Sequence, residues 1–221
     1  MHLTTPAEIT QPLWEGPLEQ PVLTMRSADG IFATIGEPVQ WAAGQLLGPA
    51  WQAPVGDRRF YLLRLAFSLR PTGRAQVQRA DFGLSLGAQG GLRPMVFDGY
   101  PREQTVEKND AVTLKLGPEL KLGEVGGSVG SVETTIDFGR VIPVITTDGL
   151  QEPSFYWRYT AHAKYPLTGS RMMYAVAALP AGLPHALATL ELSAEYADQL
   201  GPVRLSTPDT ARQTLRWVVG V

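Results

Sequence analysis

Apolar and polar residues alternate with a period of two along much of this chain, the spacing of strands that bury one face. Leu63, Leu65, Phe67 and Leu69 alternate with Arg64, Ala66, Ser68 and Arg70. Pro71-Thr72-Gly73 supplies a turn, and Ala80, Phe82, Leu84 and Leu86 then alternate with Asp81, Gly83 and Ser85, so the pattern predicts a hairpin. Further on, Val112, Leu114 and Leu116 alternate, Pro118 interrupts, and Leu120 and Leu122 resume. A glycine-rich stretch at 123–130 follows, after which Val132, Thr134, Ile136 and Phe138 alternate with Glu133, Thr135, Asp137 and Gly139. Shorter extended pieces are expected at Val22–Arg26, Ile31–Ile35, Val39–Ala42 and Met95–Phe97. Others are expected at Val141–Thr147, Ser154–Ala161, Arg171–Leu179, Ala186–Tyr196 and Thr210–Val219. Helical spacing is weak, with 41–47 and 194–199 the best short candidates.

About a dozen short strands punctuated by 23 Gly and 18 Pro predict an all-β fold, an antiparallel sandwich of jelly-roll-like character with little helix. Residues 1–21 carry Pro6, Pro12, Pro17 and Pro21 and read as an extended N-terminal arm. Residues 22–221 then form one β-sandwich domain. The charged segment 101–111 marks the place, near residue 105, where a sub-boundary would fall.

Composition narrows the functions. With 19 Lys+Arg against 21 Asp+Glu and no basic cluster, neither nucleic acid nor a membrane surface is an expected partner. The longest apolar run, Met172–Leu179, is strand length, far short of a spanning helix. Cysteine is absent, which removes disulfides, thiolate metal sites and thiol catalysis. Without cysteine, and with no basic flank and apolar stretch at the N-terminus, the expected location is cytoplasmic.

No contiguous motif carries chemistry. Gly126-Gly127-Ser128-Val129-Gly130 fits the nucleophile-elbow pattern, but a strand pattern follows where a helix is required. Asp137-Phe138-Gly139 lacks every companion of a kinase site. His2, His162 and His185 show no metal-ligand spacing. Glu191 and Glu195 share a strand face with Thr189 and Ser193, the pattern of a solvated face rather than a glycosidase pair. No catalytic residue, metal or cofactor is therefore expected.

The most distinctive segment is Ser154–Ala161. Phe155, Trp157 and Tyr159 fall on one face, and Tyr156 and Arg158 on the other. Three aromatics in a row suit a core, which leaves Tyr156 and Arg158, residue types common at interaction hot spots, pointing outwards. Together with His162 just past the strand and Arg171 opening the next, they are the candidate interaction surface. The expected function is a non-catalytic binding module that self-associates or takes a protein partner. A hydrolase with dispersed loop residues and a lectin-like sugar binder are the alternatives.

Residues 112–180 carry LKLGPELKLGEVGGSVG, the Trp157-centred strand and, running to 182, PLTGSRMMYAVAALPAG. These features resemble a family of uncharacterised bacterial β-sandwich proteins of unknown function. The resemblance implies a β fold and no assigned activity. Because some such proteins occur beside proteases or defence modules, it also implies an accessory role in a bacterial assembly or defence system.

Overall fold

The computed structural model describes residues 11–19, 30–44, 56–88, 90–104, 112–114, 134–136, 144–162, 166–198, 201–211 and 213–220. Its strands are β1 (Pro12–Pro17), β2 (Gly30–Gly36), β3 (Val39–Ala42), β4 (Arg58–Thr72) and β5 (Val77–Leu86). Then come β6 (Met95–Tyr100), β7 (Glu103–Gln104), β8 (Val112–Leu114), β9 (Thr134–Ile136) and β10 (Val144–Asp148). The last are β11 (Ser154–Thr160), β12 (Gly169–Pro180), β13 (Ala186–Asp198), β14 (Gly201–Ser206) and β15 (Arg216–Val219).

Two antiparallel sheets face one another, as the alternation predicts. The first runs β1-β2-β4-β12-β6, with β3 paired to the other half of β4. The second runs β14-β13-β5-β11-β10-β7, with β15 paired to β13. Each sheet takes strands from both sides of residue 105, so the two halves of the chain share one core.

That core is built from the inner set of each alternation. Leu63, Leu65, Phe67 and Leu69 of β4 are buried, as are Phe82 and Leu84 of β5 and Phe155, Trp157 and Tyr159 of β11. Phe67 is the junction between the layers. Its ring stacks on Phe82 with centroids 5.2 Å apart and meets Tyr159 edge-on at 5.3 Å.

The expected hairpin over 63–86 is not one. β4 pairs with β2, β3 and β12 in the first sheet, whereas β5 pairs with β11 and β13 in the second. The turn at Gly73 therefore carries the chain across the core. Alternation specifies which residues face inwards, and two strands that arch over a core present the same pattern as two that pair. The expected strand Thr210–Val219 begins only at Arg216, after a 3-10 turn at Asp209–Ala211. Residues 194–198, a helix candidate, extend β13 instead, and β14 is an additional strand. Within the stretch read as an arm, Pro12–Pro17 pairs along β2. The expected strand Val22–Arg26, the point near residue 105, the glycine-rich 123–130 and the triplet 137–139 lie outside the described residues.

Two short bridges tie the layers at their sides. Glu19 pairs with Ser206 at the end of β14, and Val96 of β6 pairs with Glu152 in the turn before β11. β6 also carries a bulge opposite Val176 and Ala177, so Phe97 joins the outer apolar cluster beside Phe60 while Gly99 faces Phe155.

One buried and one half-buried phenol give this fold an alkaline limit. Burial pushes the Tyr100 phenol up to about 12, and the negative charge of Asp98 adds to the effect. Burial also pushes Tyr159 well above the phenol range, against the opposing pull of Arg171. A phenol with a raised folded pKa stays protonated while the unfolded chain ionises from its usual value of 10.0. Stability is thus complete below that pH and declines as pH climbs towards 12. Urea midpoints measured from about pH 8 to 12 are expected to be flat and then fall. Tyr100→Phe is expected to shrink that fall, and an unchanged pH profile would count against the assignment.

Candidate functional site

β11 lies in the interior of the second sheet, between β5 and β10. Its register sets Arg158 opposite Asp81 on β5 and Thr146 on β10, and Tyr156 opposite Gly83 and Asp148. Phe155, Trp157 and Tyr159 are at most 1% exposed, so Tyr156 and Arg158 occupy the outer face.

Asp81 organises that face. One carboxylate oxygen accepts from Arg158 Nε at 3.1 Å and lies 3.5 Å from Arg79 Nε. The other accepts from Arg204 Nη2 at 3.3 Å, and Arg204 also donates to Ser193 Oγ at 3.2 Å. Three guanidinium groups from β5, β11 and β14 converge on one carboxylate. Their side chains remain 40–66% exposed, so the network adds little stability and leaves N–H donors facing solvent. Glu195 stands opposite both Arg79 and Arg204 in the register.

Tyr156 lies across Gly83. A Cβ at that glycine would sit 2.7 Å from Tyr156 Cε1, so the missing side chain is what lets the ring lie flat on the strand. The outer face thus presents an aromatic plane beside a ring of arginines.

The structure separates the other two candidates from this pair. His162 is exposed beyond the end of β11. Arg171 belongs to β12 in the opposite sheet, where it faces Phe67 in the register and donates to the carbonyls of Ser170 at 2.8 Å and Pro166 at 3.2 Å. Burial lowers its pKa, with the Tyr159 phenol opposing. Its role is to close the loop at 166–170 over the end of the core. Among the described residues no group of His, Asp or Glu is arranged to hold a metal.

No protein family matches this chain, and no curated protein matches it. Among solved structures it is similar to a chain described as a pore forming protein, 10% identical, over 93% of this chain and 94% of that one, with a TM-score of 0.41. The Clostridium perfringens NetB toxin in its membrane inserted form is 9% identical over 93% of each chain at 0.36. Clostridium perfringens delta-toxin is 10% identical, over 93% of this chain and 86% of that one, at 0.37.

Asp81, Arg79 and Arg204 were not candidates from the sequence. Asp81 appears there only as a polar position in an alternation. Its arginines lie 77 and 123 residues away for Arg158 and Arg204, and only the strand register brings them together.

Proposed function

We propose that this protein is a non-catalytic assembly module whose copies associate and whose 104–145 segment enters a lipid bilayer as a β-hairpin. The observation that supports this is a pairing register. β7 and β10 pair with Gln104 opposite Ile145, and β8 and β9 pair with Val112 opposite Ile136. Eight residues separate the pairs on one strand and nine on the other, the spacing of two rungs of one hairpin with a single extra residue. Among the described residues β8 and β9 pair only with each other and belong to neither sheet.

The sequence around these rungs supports the reading. In the sequence Val112, Leu114, Leu116, Leu120 and Leu122 take alternate positions before the glycine-rich stretch. Val132, Thr134, Ile136 and Phe138 take alternate positions in the sequence after it, and the register sets Leu114 opposite Thr134 and Val112 opposite Ile136. Thr113, Lys115, Glu119, Lys121, Glu133, Thr135 and Asp137 fill the intervening positions. An apolar-out, polar-in alternation over about 9–11 residues per strand is what a membrane β-barrel requires. A two-stranded ribbon is marginal in water, and in lipid its unpaired edges are untenable. Insertion therefore calls for hairpins from several copies, which retains the expectation of self-association.

The expectation of no membrane partner rested on the missing basic patch and the missing apolar helix. Among the described residues no helix is long and apolar enough to cross a membrane. Neither point bears on crossing by strands.

Because the chain is free of cysteine, single-cysteine variants can each carry one environment-sensitive dye. With vesicles of equal phosphatidylcholine and phosphatidylglycerol, dyes at 112, 114, 134 and 136 are expected to shift to the blue, and dyes at 113 and 135 are not. No shift anywhere, or the same shift at all six positions, would remove the proposal.

A further inference from the structure

Among the described residues, the outer face of the first sheet holds a charge with no counter-charge paired to it. Arg64 on β4 is only 8% exposed, and its guanidinium makes no hydrogen bond or ion pair among the described residues. What it touches is aromatic. It lies 5.9 Å from the centroid of the Trp41 ring on β3, and Tyr174 of β12 faces it directly in the register, with Tyr100 of β6 beyond. Tyr174 turns its own hydroxyl to Met172 Sδ at 3.5 Å.

The two acids that the register places on this face are already engaged. Glu15 accepts from Arg70 at 2.5 Å, and Asp98 accepts from Arg102 at 2.7 Å and from the Gly99 amide. None of the Arg64 nitrogens is both buried and unpartnered, so the guanidinium is reached by solvent and its N–H donors are open to a ligand.

We propose that Arg64 is the centre of an oxyanion site, in which a phosphate or a similar anionic group of a ligand accepts from the guanidinium fork between Trp41 and Tyr174. Arginine suits this because its planar donors match the oxygens of a phosphate in pairs. The anion comes either free in solution or as a lipid headgroup, and the same chemistry serves both. The site does not depend on the proposed insertion of the 104–145 segment.

The test uses the full chain and two probes. Inorganic phosphate in the millimolar range is expected to raise the thermal midpoint of the wild-type protein more than sodium chloride of equal ionic strength, as a ligand of the folded state does. Sedimentation with phosphatidylglycerol vesicles tests the headgroup source. Arg64→Met keeps the volume and removes the charge, and is expected to fold at least as stably without phosphate while losing about tenfold or more in affinity for the active probe. Arg216→Ala, which removes an arginine of β15 in the opposite sheet, is expected to bind as the wild type does. A response to phosphate alone identifies a free anion, and a response to vesicles alone identifies a headgroup. If neither probe binds, or if Arg64→Met binds as tightly as the wild type, the site does not exist.

Discussion

Replacing Trp157 with alanine is expected to destabilise the fold by about 3–5 kcal/mol, the range for an aromatic removed from a rigid core. The indole is 0% exposed and sits at the centre of the second sheet, with Phe155 edge-on at 4.6 Å and Phe82 at 6.2 Å. These neighbours are held by strands on both sides, so the cavity cannot collapse, and its full cost is felt. A loss of this size is a large part of the total stability of an ordinary domain. The urea midpoint should therefore fall steeply, and at 37 °C a substantial unfolded population is expected. Trp157→Phe makes the useful contrast. The indole Nε1 is buried without a hydrogen-bond partner among the described residues, so phenylalanine loses volume but also removes an orphan donor worth about 1–3 kcal/mol. Its net effect is expected to stay below about 1.5 kcal/mol. If the two variants were equally destabilised, the packing account would be wrong.

The second large effect is expected at Gly99. On the inner face of β6, a Cβ at this position would overlap the Phe155 ring, which is itself 0% exposed and has nowhere to go. Gly99→Ala is therefore expected to cost about 3 kcal/mol, the upper end for overpacking a dense core. The mechanism makes a sharper statement than the magnitude. Phe155→Leu withdraws the obstructing ring edge, so the double variant should be more stable than the sum of the two single losses by at least about 0.5 kcal/mol. Chemical denaturation of the four proteins gives the coupling, and strict additivity would show that the strain lies elsewhere.

How much of this could be read in the chain depends on what alternation encodes. It encodes facing. The inner sets of β4, β5, β11 and β13 could all be named in advance, because period two and burial are the same fact seen twice. It does not encode pairing, which is why 63–86 looks like a hairpin and is an arch. Two strands joined by a short turn bury the same residues whether they lie side by side or face to face. The outward position of Tyr156 and Arg158 was legible for the same reason. Their neighbours were not, since the convergence of Arg79, Arg158 and Arg204 on Asp81 is a property of register across four strands. Arg64 was hidden in another way. In the sequence it is one of the polar positions that alternate with Leu63 and Leu65, and nothing local says that its side chain is largely buried among aromatics.

The bridges from Glu19 to Ser206 and from Val96 to Glu152 bear on colloidal behaviour. A sandwich with bare flanks offers each neighbour a template, and such proteins polymerise sideways into fibres without limit. Here each flank is clasped at one point by the chain's own backbone, and a copy docking there would first have to undo the clasp. Growth is thereby discouraged at the sides of the molecule.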